Sequence, residues 1–350
     1  KEAAIVEPLI VSNDKNKFIT AKGNQTPARL NPKLFLQQCP LTVIDSESLK
    51  LIQVLRLHKV MDHTQSAAGS AVLLRSLIQP STDLHYIQSK QEALVEILSN
   101  DRLRQALQDF IHEYSSGENA LYRFFNKGLY ALFPYPDFKR ARQAALAITQ
   151  LMPRIPVAES SYLNALLSHL QSYKDSSIDQ MMQGPIYKTF QGLKAGKEVG
   201  FLTPKLKFVP RRFTKWVLAG PAVALAPQIQ NKMGFGPSLA PLIFSIGLAW
   251  TGLYAFYSLF IKPVRDTGNF IEPFREKCIY NNAFSRAVDA VGLIDELLAL
   301  HHFASESPDA TVLPKVTDER HHFFEACGLK NPVLAQDKTD FVPNDVNLHR

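Results

Sequence analysis

Apolar residues in the first half of the chain recur mostly every three or four positions, the spacing that lines one face of an α-helix. Two helices are predicted on either side of a turn at Asp62 to Gly69, and Pro80 ends the second of them. Asp83 has a side chain suited to capping the next helix. Further helices are predicted over about 101–114, 137–151 and 158–173. The pattern therefore predicts a mainly α body over residues 49–204, after a lead-in segment at 1–48.

Residues 205–265 depart from this pattern. The run from Leu239 to Ile261 has no charge over about 23 residues, and as a helix it would reach roughly 35 Å, enough to cross a bilayer core. A shorter apolar stretch, Trp216 to Ala226, precedes it and contains Pro221. Two interpretations stay open. One is a membrane hairpin with both ends on the cytoplasmic side, and the other is a hydrophobic hairpin buried inside a soluble helical body.

Basic and aromatic residues accompany this apolar segment. The basic residues precede its first arm, at Lys205, Lys207, Arg211, Arg212 and Lys215. They are candidates for contacting the phosphates of DNA or of anionic lipids. The aromatic candidates for a membrane or hydrophobic interface are Trp216, Trp250, Tyr254, Phe256 and Tyr257.

The last third of the chain combines a long helix with short apolar pairs. A helix of about thirty residues is predicted after Pro273, within a segment at 266–310, and it ends near Ser305. Over 311–350, apolar pairs among turn-forming residues predict short β-strands, at Val312–Leu313, Phe323–Phe324, Val333–Leu334 and Phe341–Val342. We expect these strands to begin a further domain that is incomplete at Arg350.

Composition narrows the function classes only modestly. Hydrophobic residues make up 46% and charged residues 20% of the chain, values that argue against wholesale disorder and against a polytopic transporter. The net charge of +7 favours a polyanionic partner, nucleic acid or an anionic membrane, without selecting between them. The cysteines Cys39, Cys278 and Cys327 are odd in number and far apart, which predicts buried thiols rather than a disulfide framework.

The sequence contains no recognisable motif for catalysis or metal binding. The segment Gly192 to Glu198 imitates a P-loop, but it has three residues between its glycines instead of four, and Glu198 stands where Ser or Thr binds Mg²⁺. The pairs His301–His302 and His321–His322 are adjacent, so on a helix they point to different faces, and no cysteine spacing supports a metal site. The sequence therefore predicts no catalytic residue, no metal ligand and no cofactor in this chain.

Two separated motifs resemble the MutS family of ATPases. The stretch Val60 to Ser70, continued by Leu73 to Pro80, is similar to the family's core-domain signature, in which Asp62, Thr64, Gly69, Arg75 and Pro80 are structural residues. The helix Ile87 to Val95 matches the segment that follows in the family, with Lys90 where Arg is usual. Gly69 would permit close packing or a turn, and Pro80 would end a helix.

The second motif lies at the other end of the chain. Residues Ala290 to Leu300 are similar to the family's returning lever helix, and Asn331 to Leu334 with Phe341 to Leu348 resemble the strands that precede its P-loop. Lys330–Asn331 replaces the usual Arg-His. By this resemblance Asn344 and Asp345 would lie next to a nucleotide site, although a structural turn explains them equally well.

The resemblance implies a helical core and lever domain with long helices, followed by the first strands of an ATPase domain. It also implies a full-length protein that binds ATP and Mg²⁺, forms a homodimer and contacts duplex DNA. The apolar segment occupies the place of the family's DNA clamp. The favoured hypothesis is therefore a cytoplasmic module, attached to the inner face of a membrane through 216–261, that transmits ATPase state. The alternative is a DNA-binding clamp in which the basic residues grip phosphates. An independent hydrolase has no supporting motif.

Overall fold

A computed structural model describes most of the chain and confirms a mainly α fold. The described residues are 46–125, 134–200, 203–211, 240–306, 311–317, 323–337 and 341–349. The lead-in segment, the first arm of the apolar segment and Cys39 lie outside these ranges.

The N-terminal helices follow the predicted pattern closely. They are α1 Ser46–Leu51, α2 Val54–Met61, α3 Ala67–Ile78, α4 Leu84–Ser99 and α5 Asp101–Phe125. Asp83 caps α4 as predicted, because its side chain accepts a hydrogen bond from the Tyr86 amide. The turn after α2 is shorter than expected. Ser66 caps α3 by accepting from the Gly69 amide, so Gly69 lies inside the helix.

The middle of the described chain adds helices and one small sheet. The elements are α6 Pro134–Leu151, α7 Ser161–Lys174, α8 Ser177–Gln183, β1 Ile186–Thr189, β2 Gly192–Ala195 and β3 Leu206–Lys207. The strands pair antiparallel in the order β2-β1-β3. Our helical assignment of 49–204 missed this sheet, because strands of two to four residues carry too little alternation to be recognised. Gly192, with φ of 101°, opens β2 rather than a phosphate loop.

A nearly continuous helical path follows. Its helices are α9 Ala240–Phe256, α10 Lys262–Asp266, α11 Glu272–Ile279 and α12 Asn282–Glu306, and π-helical turns at Tyr257–Ile261 and Thr267–Ile271 join the first three. The predicted long helix is therefore divided in two at 280–281. There the side chain of Asn281 caps α12 by accepting a hydrogen bond from the Phe284 amide. At 25 residues, α12 is about 37 Å long.

The hydrophobic core surrounds α12. This helix is buried from Phe284 to Ala299, except at the exposed Arg286, and packs against α3, α4, α5 and α7. An aromatic cluster extends the core to the second π turn and to α11. Its neighbouring ring centroids are 5.0 to 6.2 Å apart, and its members are Phe124, Phe138, Phe208, Phe270 and Phe274.

The C-terminal part contains β4 Phe323–Leu329, α13 Pro332–Asp337 and β5 Asn344–His349, and the two strands pair antiparallel. The predicted strand at Val333–Leu334 is wrong. Pro332 begins a helix there, and the Asn331 side chain accepts hydrogen bonds from the Val333 and Leu334 amides. The strand predicted at Phe323–Phe324 is confirmed as the start of β4. The pairs Val312–Leu313 and Phe341–Val342 lie outside strands, so those two predictions are wrong.

The cysteines also differ from expectation. Cys278 is buried as predicted, and burial raises the pKa of its thiol. Cys327, in contrast, is exposed on β4.

Candidate helix junction and contact surface

The loop between α2 and α3, residues 62–66, is anchored to α12 by one buried carboxylate. We call it the junction loop. Asp295 of α12 accepts hydrogen bonds from the backbone amides of Gln65, at 3.2 Å, and of Ser66, at 2.8 Å. It also accepts from the Ser66 hydroxyl. Because Asp295 is 1% exposed, these bonds are shielded from water and fix the loop against the middle of α12.

A second buried carboxylate holds the beginning of α3. Glu118 of α5 accepts hydrogen bonds from the amides of Ala67, at 2.6 Å, and Ala68, at 2.8 Å, and from the Tyr122 hydroxyl at 2.9 Å. Amides in the first turn of a helix have no partner within the helix and carry its positive dipole end, so a carboxylate stabilises them. Burial nevertheless raises the pKa of Glu118, since its desolvation outweighs these hydrogen bonds.

Two ion pairs continue the attachment of α12 to its neighbours. Asp289 accepts a hydrogen bond from Arg75 of α3 at 2.8 Å, and Glu296 accepts one from Lys90 of α4 at 2.7 Å. Both carboxylates are buried, so losing either cation would leave a charge without compensation. Lys90, which stands where the family usually has Arg, therefore retains a charged partner.

Two glycines permit the close contact between α3 and α12. A Cβ atom on Gly69 would lie 2.2 Å from the Asp295 carboxylate oxygen. A Cβ on Gly292 would lie 2.7 Å from Val72 and 2.9 Å from the backbone oxygen of Ala68. Both positions exclude any side chain, and so they determine how near the two helices lie.

Two further residues of the predicted motif, Asp62 and Thr64, lie in the junction loop itself, and Pro80 lies at the other end of α3. Asp62 accepts hydrogen bonds from the Ser70 hydroxyl, at 2.8 Å, and from the hydroxyl of Thr64. Pro80 lies just beyond the last residue of α3. Sequence reasoning did not identify Glu118, Asp289, Asp295 or Glu296 as junction residues, although acidic residues within an otherwise apolar helical face were a usable signal.

The outward side of α9, continued over the π turn Tyr257–Ile261 and α10, is a broad apolar surface, which we call the contact surface. Its exposed large side chains are Ile246, Leu248, Trp250, Leu253, Phe256, Leu259, Phe260, Ile261 and Val264. A patch of this extent is unusual on a protein surface that faces only water. Within the described residues, these side chains of the arm are exposed rather than buried. Within the described ranges, no helix combines the length and the apolar character needed to span a membrane.

The other predicted interface residues lie on the same elements. Tyr254 is half-buried on α9, and Tyr257 stacks against the Arg265 guanidinium, 5.7 Å from the ring centroid. Trp216 lies outside the described residues.

A basic segment lies beside the junction of the π turn Tyr257–Ile261 with α10. Lys205, Lys207 and Arg211 are all exposed. The ammonium group of Lys262, at the end of the π turn, donates hydrogen bonds to the backbone oxygens of Val209 and Arg211, which fixes the segment at this place. Arg212 and Lys215 lie outside the described residues.

The two residues expected near a nucleotide site lie on β5. Asp345 accepts a hydrogen bond from the Gly328 amide of β4 at 2.7 Å, and Asn344 pairs with Leu329. Both residues are exposed. These contacts join the start of β5 to the end of β4. The proximity of the two residues to a nucleotide stays a prediction.

The geometry defines a class of protein, a helical core in which one long helix is clamped by buried carboxylates to the start of a second. A family model described as MutS domain III matches residues 45–300, about three quarters of the chain. The chain therefore belongs to the MutS family, which confirms the resemblance inferred from its two motifs.

Individual relatives match over shorter stretches. The MutS protein homolog him-14 of Caenorhabditis elegans is 41% identical over 51 residues, which are 15% of this chain and 6% of that protein. The DNA mismatch repair protein MutS of Acaryochloris marina is 28% identical over 159 residues, 43% of this chain and 18% of that protein. That of Trichormus variabilis is 40% identical over 53 residues, 15% and 6% of the two chains. The chain thus spans less than a fifth of each relative.

Proposed function

We propose that this chain is the core and lever module of a MutS-type ATPase, and that α12 transmits ATPase state to a membrane contact formed by α9. One observation carries the proposal. A single rigid helix, buried along most of its length, follows the α9–α11 path at one end and precedes the C-terminal segment at the other. Movement at either end of such a helix is passed to the other end, because a packed core resists gradual deformation.

The junction offers a physical means of transmission. Asp289, Asp295 and Glu296 lie within eight residues on α12, and each binds a group on a different part of its surroundings. A shift or rotation of α12 would break these buried contacts together, at a cost of about 1–3 kcal/mol for each unsatisfied group. The cost favours two discrete arrangements of α12 over a continuum, and two arrangements are what a nucleotide-driven relay requires.

The membrane part of the proposal rests on α9. The exposed apolar contact surface is suited to entering the boundary of a bilayer. The neighbouring basic segment is suited to contacting anionic headgroups. Burying side chains such as Leu253 and Phe260 in lipid would gain roughly 1.5–3 kcal/mol each. Such a contact would hold the protein on the inner face of a membrane.

The catalytic part of the proposal concerns the longer protein. We infer that ATP and Mg²⁺ bind in an ATPase domain beyond this chain and that homodimers form there, as the family resemblance suggests. The chain itself supplies no catalytic residue in this account. Asn344 and Asp345 would border the nucleotide site once that domain is complete.

Duplex DNA is the second candidate partner. Two of the relatives are named DNA mismatch repair proteins, and Lys205, Lys207 and Arg211 expose three cations along one short segment. In that case the contact surface would be covered by protein, and the basic segment would bind phosphates with an affinity that falls steeply with salt.

Flotation with lipid vesicles tests the membrane contact. The purified chain should float with vesicles containing phosphatidylglycerol at both low and high salt. The triple variant Leu253→Glu, Phe256→Glu and Phe260→Glu should lower the bound fraction at least about tenfold, because three buried charges oppose insertion. Val157→Glu with Phe190→Glu, at exposed apolar positions elsewhere, is the matched control and should float normally. Equal flotation of both variants would refute the membrane contact.

Binding to a labelled DNA duplex, measured on the same preparations, decides between the partners. Salt-sensitive DNA binding that is lost in Lys205→Glu, Lys207→Glu and Arg211→Glu, together with absent flotation, would establish the DNA alternative. Flotation without DNA binding would support the membrane contact.

A further inference from the structure

Three side chains with metal-binding chemistry converge where the junction loop meets the end of α12. His63 belongs to the junction loop, whereas His302 and Glu306 lie four residues apart in the last turns of α12. Residues at this spacing share one face of a helix. The adjacent His301 points about 100° away around the helix and does not join the group.

The distances suit a small divalent ion. One oxygen of Glu306 lies 3.6 Å from Nδ1 of His63 and 3.4 Å from Nδ1 of His302, and all three ligand atoms lie within 4.8 Å of one another. Two ligands of a tetrahedral zinc ion, each about 2.0–2.1 Å from the metal, are separated by roughly 3.3 Å. The two distances to Glu306 are therefore close to tetrahedral edges, and the histidine nitrogens lie no more than 4.8 Å apart.

The two imidazole rings are adjacent and present the same nitrogen, Nδ1, to the carboxylate. His63 and His302 stack with their centroids 4.7 Å apart and their planes inclined by 29°. Because the lone pair of each nitrogen lies in its ring plane, shared coordination requires these partly exposed side chains to rotate out of the stacked arrangement. Side-chain exposures of 28% for His63, 51% for His302 and 58% for Glu306 give an ion access from solvent and leave space for a water molecule as fourth ligand.

We propose that His63, His302 and Glu306 bind one divalent transition-metal ion, of which Zn²⁺ fits the two imidazoles and one carboxylate best. The ion would connect the junction loop directly to the C-terminal end of α12, beyond the contact that Asp295 makes nearer its middle. Metal binding would therefore resist separation of α3 and α12 and bias the arrangement of α12. The site does not depend on a membrane or on DNA.

Titration of the untagged full chain with Co²⁺ and with Zn²⁺ tests the proposal. A Cys327→Ser background removes the exposed thiol, which would otherwise compete for the ions. We expect one Co²⁺ per chain with a visible d–d spectrum, displacement by Zn²⁺, and a higher melting temperature with metal. His63→Ala and His302→Ala should each weaken binding at least about tenfold, whereas His301→Ala and His112→Ala should not change it.

Two results would overturn the site. One is the absence of stoichiometric binding by the background chain, and the other is unchanged affinity in His63→Ala. The second result would assign any bound metal to α12 alone or to other histidines. Since all three ligands are partly exposed, far-ultraviolet circular dichroism should be unchanged in the variants, and loss of binding could then be assigned to the ligands themselves.

Discussion

Two carboxylates that are far apart in the chain determine the position of the α3 N-terminus. Glu118 and Asp295 between them accept hydrogen bonds from four consecutive backbone amides, those of residues 65 to 68. A buried amide without a partner costs about 1–3 kcal/mol, so loss of the Asp295 carboxylate should release the junction loop and loss of the Glu118 carboxylate should loosen the first turn of α3. All four amides lie within the MutS-like motif, Val60 to Ser70.

The raised pKa of Glu118 predicts a dependence of stability on pH. The folded chain holds the Glu118 proton more tightly than the unfolded chain, whose value lies near 4.5. The stabilising contribution of this group is therefore complete below that pH and is lost as pH rises through the folded-state pKa. In urea unfolding, the free energy of wild type minus that of Glu118→Gln should fall as pH increases from 4 towards neutrality.

Glu113→Gln, an exposed change on the same helix, corrects that comparison for the removal of one negative charge. A difference between wild type and Glu118→Gln that rises with pH would mean that the hydrogen bonds to the carboxylate outweigh its burial.

The sequence identified the motif residues but not their partners. Ser66 and Asp295 are 229 positions apart, and local spacing contains no information about such a pairing. Gly69 permits close packing, one of the two roles that the sequence allowed for it, and the group that it approaches is the Asp295 carboxylate. Long-range polar pairing is decided by the tertiary fold, which explains why sequence reasoning did not identify the junction.

At the scale of elements, the crossing of α3 and α12 depends on the absence of a side chain at Gly292. Gly292→Ala places a methyl group against backbone that cannot move away easily, and we expect it to destabilise the chain by about 1–3 kcal/mol. Gly252→Ala meets nothing within 4 Å on α9 and should be neutral or stabilising by up to about 1 kcal/mol. Chemical denaturation of both variants measures the difference. Equal stabilities would contradict the proposed close contact.

Helices were predicted better than strands, for a physical reason. The Asp83 cap and the spacing of apolar residues are local signals, and α4 begins where they indicated. Helix α3 begins earlier than predicted, at Ala67, because Ser66 was not identified as its cap. The strands β1 and β2 have four residues each and exist because they pair with each other. At Val333 an apolar pair indicated a strand, but the preceding Asn331 and Pro332 started a helix instead.

At the scale of the whole molecule, the contact surface and the junction belong to one connected set of helices. The aromatic cluster around Phe274 packs α11, the last helix of the α9–α11 path, against the core. Helix α12 follows α11 in the chain, passes the junction loop and precedes the C-terminal segment. The apolar character of α9 was evident in the sequence. Its exposure was not, because burial depends on which other elements pack against a helix.

Hydrogen exchange, followed by mass spectrometry with and without phosphatidylglycerol vesicles, tests the central claim that α12 couples the contact surface to the junction. Vesicle binding should slow exchange in α9 and also change it in residues 62–68. Asp295→Asn should abolish the second effect and preserve the first, because it weakens the link between α12 and the junction loop. Protection confined to α9 in the wild-type chain, with residues 62–68 unchanged, would contradict the account.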